Sequence, residues 1–154
     1  MNLSEVDLNA LSHALDDSDP DREHFLDLET GSLWTFVFSE ATDEIRNRHH
    51  DRLNDPKRWL RVPSRTSQQE YEEIEDFVES LPEDEVQDGL FRALERRGAF
   101  RNFREALMER PEVRQQWLAA SKRRSRERLD AFLQGLGPVE SAPEPAPEPA
   151  EAAA

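Results

Sequence analysis

Positively charged side chains are the residues of this sequence best suited to chemistry, and they concentrate in its second half. Residues 97–104 read Arg-Gly-Ala-Phe-Arg-Asn-Phe-Arg, so arginines alternate with aromatic residues. On a helix, Arg101 and Arg104 lie on the same flank, and Arg97 lies one turn before Arg101. Guanidinium groups bind carboxylates and phosphates through paired N–H donors. We therefore predict that Arg97, Arg101 and Arg104 bind an anionic partner.

A second group of cations follows between residues 122 and 128. Five of these residues are basic: Lys122, Arg123, Arg124, Arg126 and Arg128. Because the five point all round a helix, the pattern predicts a helical segment, within residues 111–136, that projects from the body of the domain. Two interpretations of these binding residues stay open. The cations neutralise the phosphates of RNA or DNA, or they pair with carboxylates of residues 70–79, of another copy or of another protein.

The charge of the chain is unevenly distributed. The formal net charge is -14, yet residues 1–91 contain 24 acidic and 8 basic residues, whereas residues 92–128 contain 12 basic and 5 acidic residues. Nucleic-acid-binding domains usually carry a net positive charge. We therefore predict a non-enzymatic interaction module, an adaptor or regulator, whose partner is a protein (self or other). Nucleic-acid binding through the basic C-terminal helices is the alternative.

Enzyme chemistry has little support in the sequence and is a remote alternative. The absence of cysteine excludes thiol catalysis and zinc sites built on thiolates. The chain contains neither a Gly-x-Ser-x-Gly elbow nor a glycine-rich phosphate loop. Asp27 and Glu29 alternate on one predicted strand face, as an acid and base pair would require, but solvation at a strand edge explains both better. We expect no catalytic residue and no cofactor.

A metal site is a further remote alternative. His49, His50 and Asp51 are adjacent and would need another ligand, with His13 and His24 as the other imidazoles. Adjacent residues of a regular element point in different directions. The pattern therefore favours solvated loop histidines, and we predict no metal.

Hydrophobic periodicity predicts an α+β fold with a small three-stranded antiparallel sheet, a leading helix and a C-terminal helical half. The helix spans residues 4–16 with Ser4 as its N-cap. A hairpin of residues 25–29 and 33–38 turns at Gly31, and residues 58–62 form the third strand. Both faces of the second strand are apolar, so we predict that it is the central strand.

The helical half begins near Ser67, and its second helix ends at Gly98. The next helix turns Phe100, Phe103 and Leu107 inward, and Pro111 opens the last helix. We predict that Phe100 and Trp117 are buried. We assign residues 1–137 to one domain and residues 138–154, which are rich in Pro, Ala and Glu, to a disordered tail. No signal peptide or membrane span is evident, so we expect a cytoplasmic protein without a membrane partner.

Three sequence features resemble a known family. Residues 98–105 read Gly-Ala-Phe-Arg-Asn-Phe-Arg-Glu, residues 26–31 read Leu-Asp-Leu-Glu-Thr-Gly, and Trp117 follows the phenylalanine pair. Together they resemble the bacterial uncharacterised protein family 0158 of the UPF series, over roughly residues 3–117. Asn102 stands where the family leads us to expect a basic residue. The resemblance implies a shared fold and no particular activity.

Overall fold

The computed structural model describes residues 3–136, and the predicted tail of residues 138–154 lies outside them. The described chain forms two compact units, which we call the sheet unit (residues 3–66 and 125–136) and the helical unit (residues 67–124). The fold is α+β, with six α-helices and one three-stranded antiparallel sheet in the described range, which confirms the predicted class.

The sheet unit is built on three strands in the order β2-β1-β3. They are β1 (Arg22–Asp27), β2 (Leu33–Val37) and β3 (Trp59–Arg61). The prediction that the second strand is central was wrong, because β1 pairs with both neighbours and residues 24–27 are all buried. The predicted turn at Gly31 is confirmed. Its φ is 80°, and a Cβ there would lie 2.2 Å from the Glu5 carbonyl oxygen, so the position requires glycine.

Two helices belong to this unit: α1 (Leu8–Asp16) precedes β1, and α2 (Asp43–Leu53) lies between β2 and β3 in the sequence. The predicted start at Ser4 was wrong, because residues 3–5 form a 3₁₀ turn and Asp7 is the N-cap, accepting a hydrogen bond from the Ala10 N–H at 3.0 Å. The apolar cluster of this unit combines α1, the sheet and the end of the last helix. Its most buried members are Val6, Leu11, Ala14, Leu15, Leu26 and Val62.

The helical unit contains α3 (Ser67–Glu79), α4 (Glu85–Glu95), α5 (Ala99–Met108) and residues 111–124 of α6 (Pro111–Gly135). Each helix turns one apolar side inward, which gives a second apolar cluster. Its buried members are Ile74, Phe77, Val78, Leu81, Leu90, Leu94, Phe103, Leu107 and Val113.

The aromatic residues of the helical unit are buried to different degrees. Phe103 is only 1% exposed, whereas Phe100 and Trp117 are half-buried, so the prediction that these two are buried was wrong. The Trp117 ring lies 5.2 Å from the Phe77 and Phe103 rings and covers one side of the cluster. Phe100 lies at its margin, where its ring contacts Tyr71 at 6.5 Å.

The last half of α6 packs within the sheet unit, so the prediction that it projects was wrong. Leu129, Phe132 and Leu133 pack against the apolar cluster of that unit. These residues recur at helical spacing and therefore place one side of the helix inward. Among residues 3–136, no helix combines the length and the apolar character that crossing a membrane would require.

Candidate functional site

Helix α5 carries two of the three arginines in the first predicted group, and Asn102 holds the beginning of this helix in place. Gly98 precedes the helix in a left-handed conformation with φ of 78°. The Asn102 side-chain amide donates to the carbonyl oxygens of Ala93 and Arg97, both at 3.1 Å. These acceptors lie at the end of α4 and just beyond it, where helical carbonyls lack partners. An asparagine at this position therefore fixes the connection from α4 to α5.

The predicted arginines of α5 lie on its exposed side. Phe103 and Leu107 face the apolar cluster, and Arg101 and Arg104 are exposed. Arg97, in the preceding loop, is also exposed. Within residues 3–136, none of the three guanidinium groups forms an ion pair or a hydrogen bond with another side chain. Their N–H donors are thus available to a partner.

Met108 extends this exposed side toward the end of the helix. Its side chain is 69% exposed, the largest exposure among the big apolar residues of the described chain. At 100° per residue, Arg101, Arg104 and Met108 lie within about 60° of one another around the helix and span about 10 Å along it. We call these three residues the α5 face. Sequence reasoning missed Met108, although its spacing of four residues from Arg104 is a usable signal.

The second predicted group, residues 122–128, divides into inward and outward cations. Arg124 pairs with Asp76 at 3.3 Å in the helical unit. Arg128 donates to Asp16 at 2.8 and 3.0 Å in the sheet unit, where Ser125 also donates to Asp16 at 2.6 Å. Arg124 and Arg128 are therefore engaged within the chain.

The outward members of this group are Lys122, Arg123 and Arg126. All three are exposed, and none forms an ion pair or a side-chain hydrogen bond with another residue in the described range. This division into inward and outward cations follows the helical repeat. Arg124, Arg128 and Phe132 are spaced four residues apart, so they lie on the same side of α6, the side that Leu129 and Phe132 turn inward.

The acid and base pair considered from sequence is not assembled. Asp27 is buried at 3% exposure and accepts two hydrogen bonds from Arg58, at 3.1 and 3.2 Å. The Arg58 guanidinium lowers the pKa of Asp27 to about 2, so this carboxyl is ionised at neutral pH. Glu29 lies in the exposed turn after β1. Asp27 anchors β3 to β1 and has no proton to donate.

The prediction of a solvated loop at His49 and His50 was wrong in its secondary structure, because both belong to α2, although His50 is exposed. His49 belongs to α2, its ring stacks on Phe36 with centroids 3.9 Å apart, and Glu23 lies 2.7 Å from its Nε2. His24 is buried and donates from Nε2 to Asp17 at 2.7 Å. Arg22, hydrogen-bonded to Asp17, lowers the pKa of that carboxyl well below its usual range. Among residues 3–136, no three His, Asp or Glu side chains converge as metal ligands would.

Comparison with known proteins places the chain in a family. The family model UPF0158, described as an uncharacterised protein family, matches residues 1–136. The UPF0158 protein PA5073 of Pseudomonas aeruginosa is similar to this chain, with 31% identity over 122 residues that cover 79% of this chain and 76% of that protein. No solved structure matches the chain. The resemblance drawn from residues 98–105 and 26–31 is thereby confirmed, and the chain belongs to the uncharacterised protein family UPF0158.

Proposed function

We propose that this chain is an interaction module that binds an acidic protein surface through the α5 face. The observation that carries the proposal is the alignment of two unpaired guanidinium groups, Arg101 and Arg104, with the 69% exposed thioether of Met108. Arginine and methionine are both enriched at protein interfaces relative to other surfaces. The proposal includes the cytoplasmic location and the non-enzymatic role that the sequence predicts.

A protein partner fits this face better than a nucleic acid does. An exposed methionine offers apolar contact and a deformable thioether, which a protein surface uses and a phosphate backbone does not. A carboxylate accepts two parallel hydrogen bonds from one guanidinium, so acidic side chains beside an apolar contact would complement the α5 face.

The alternative function, nucleic-acid binding, is supported by the outward cations of α6. Lys122 and Arg123 are exposed, unpaired within the described residues, and adjacent in sequence. Two such cations contribute affinity for phosphates that falls as salt rises. The test of the proposed function must therefore separate a protein partner from RNA or DNA.

The test compares capture of proteins by three forms of the full chain in bacterial lysate, with and without nuclease treatment. The first is the unmodified chain, and the second carries Arg101→Glu and Arg104→Glu. The third carries Arg92→Glu and Arg114→Glu, two exposed arginines of α4 and α6 that lie outside the α5 face, so its net charge matches the second. Mass spectrometry measures the recovery of each captured protein.

We expect at least one acidic protein whose recovery falls about tenfold or more in the α5-face variant, because charge-assisted hydrogen bonds are lost and repulsion replaces them. The matched control should retain it. Capture that disappears on nuclease treatment, or that falls equally in both variants, would contradict the proposed function.

A further inference from the structure

Arg52 occupies an aromatic sandwich in the sheet unit. Its guanidinium carbon lies 4.1 Å from the centroid of the Trp34 ring and 4.0 Å from that of Trp59. Trp34 pairs with Phe25, and Trp59 pairs with Asp27, so the two indoles project from the same face of the sheet on either side of β1. Stacking against two rings fixes the plane of the guanidinium and stabilises its charge.

The hydrogen-bonding groups of this guanidinium have no partner among residues 3–136. Arg52 forms no ion pair and donates no hydrogen bond to any described residue, and its Nη1 atom is buried without an acceptor. The neighbouring Arg58, in contrast, is bonded to Asp27. Burial and the nearby charges of Arg48 and Arg58 lower the pKa of Arg52, although an arginine stays protonated at neutral pH. A guanidinium held in one orientation, with N–H donors that no other residue uses, can bind the oxyanion of a ligand.

A cavity of about 330 Å³ lies beside this residue. It is lined by Arg48, Asp51, Arg52, Asp55, Arg58 and Trp59. The volume is large enough for a small organic molecule. Arg52 lines the cavity, so its side chain borders a space that an anion can occupy.

The charges around the cavity distinguish between classes of anion. Three guanidinium groups line it together with two carboxylates, Asp51 and Asp55, and the charge of Arg58 is already offset by Asp27. A phosphate carrying two negative charges would be repelled by Asp51 and Asp55. A single carboxylate carries one negative charge and matches the fork of one guanidinium in plane and spacing.

We propose that the cavity is a binding site for a small molecule bearing a single carboxylate group, which accepts hydrogen bonds from the guanidinium of Arg52. The Trp34 and Trp59 rings hold that guanidinium in orientation, and Arg48 adds a second positive charge at the cavity wall. This site lies on α2 and the sheet, and it is separate in sequence from the α5 face.

The experiment follows the side-chain Nε–H signal of Arg52 by ¹⁵N NMR in the full chain. Sodium acetate is the probe, sodium chloride at equal ionic strength controls for screening, and methyl acetate controls for the uncharged ester. We expect a saturable shift with acetate and none with chloride or methyl acetate. Emission from Trp34 and Trp59, measured in a Trp117→Phe background, should change over the same concentration range.

Arg52→Lys is the decisive variant, because it keeps a cation between the rings and removes the planar fork. Arg46→Lys is its matched control on the same helix, where Arg46 donates to the Phe38 carbonyl oxygen away from the cavity. Acetate should bind Arg52→Lys about tenfold more weakly or worse, as followed by tryptophan emission, and bind the control unchanged. Amide spectra of both variants report whether the fold persists.

Three outcomes would overturn the proposal. The first is a shift with acetate that stays linear and equals the shift with chloride. The second is equal acetate binding by a folded Arg52→Lys variant. The third is saturable binding of inorganic phosphate without binding of acetate, which would refute the assignment to a carboxylate.

Discussion

Truncation of Phe103 to alanine should lower the free energy of unfolding by about 4 kcal/mol. Removing a fully buried Phe side chain costs about 3–5 kcal/mol, and Phe103 is 1% exposed. Its ring also makes edge contacts with Trp117 at 5.2 Å and Phe77 at 6.5 Å, both inside the range of favourable aromatic pairs. These contacts support a cost of about 4 kcal/mol and not the lower end of that range.

Phe100→Ala is the matched control, since it makes the same chemical change in the same helix at a residue that is less buried. Phe100 is half-buried and has one ring contact, with Tyr71 at 6.5 Å. We expect a loss of about 2 kcal/mol, roughly half the cost of full burial. Urea unfolding followed by circular dichroism measures both, with the denaturant slope checked for constancy.

Because Phe103 is more deeply buried than Phe100, Phe103→Ala should lose more stability than Phe100→Ala. A loss below about 1 kcal/mol for Phe103→Ala would show that the helical cluster does not depend on this ring. A larger loss for Phe100→Ala than for Phe103→Ala would refute the burial assigned to the two residues.

Two further predictions concern charge and the end of the chain. The pKa of Asp27 is lowered from 3.8 to about 2 by Arg58, so its contribution to stability should be complete above pH 3.8 and be lost as the pH falls toward about 2. In urea unfolding between pH 5 and about 2, the difference in stability between the chain and Asp27→Asn should shrink as pH falls; a constant difference would refute the pairing. Deletion of residues 139–154, which sequence predicts to be disordered, should leave the melting temperature unchanged, and a shift of several degrees in a thermal scan would contradict that prediction.

The local features of the fold were predictable from sequence because each depends on nearby residues. Gly31 and Gly98 both adopt positive φ where a turn and a helix boundary were predicted. Pro111 opens α6, as its missing N–H suggests. The helical side of Phe103 and Leu107 likewise follows from their spacing.

Two of the wrong predictions depend on residues that pair with other parts of the chain. The central strand β1 contains the polar residues His24 and Asp27, and these are hydrogen-bonded to Asp17 and Arg58. The segment around Arg128 appears to project because its cations surround the helix, but Asp16, 112 residues away, accepts from Arg128. Helix and strand propensities and hydrophobic periodicity depend on neighbouring residues, so they do not identify such pairs.

The two candidate sites also differ in how far the sequence could predict them. The exposed side of α5 follows from periodicity, so Arg101 and Arg104 were predictable as outward residues. The position of Arg52 between two tryptophan rings was not predictable, because nothing in the sequence of α2 distinguishes Arg52 from Arg46 and Arg48. Its distinction comes from the register that brings Trp34 and Trp59 to one face of the sheet.

The most direct test of the proposed function is photocrosslinking from position 108. A benzophenone amino acid replaces Met108 in the full chain, and irradiation in nuclease-treated bacterial lysate should yield a protein adduct that excess unmodified chain competes away. The adduct should disappear when Arg101 and Arg104 are changed to Glu, and a probe at the exposed Gln116 of α6 should not form it. A nucleic-acid adduct from position 108 in untreated lysate, or a protein adduct that persists in the Glu variant, would contradict binding of an acidic protein by the α5 face.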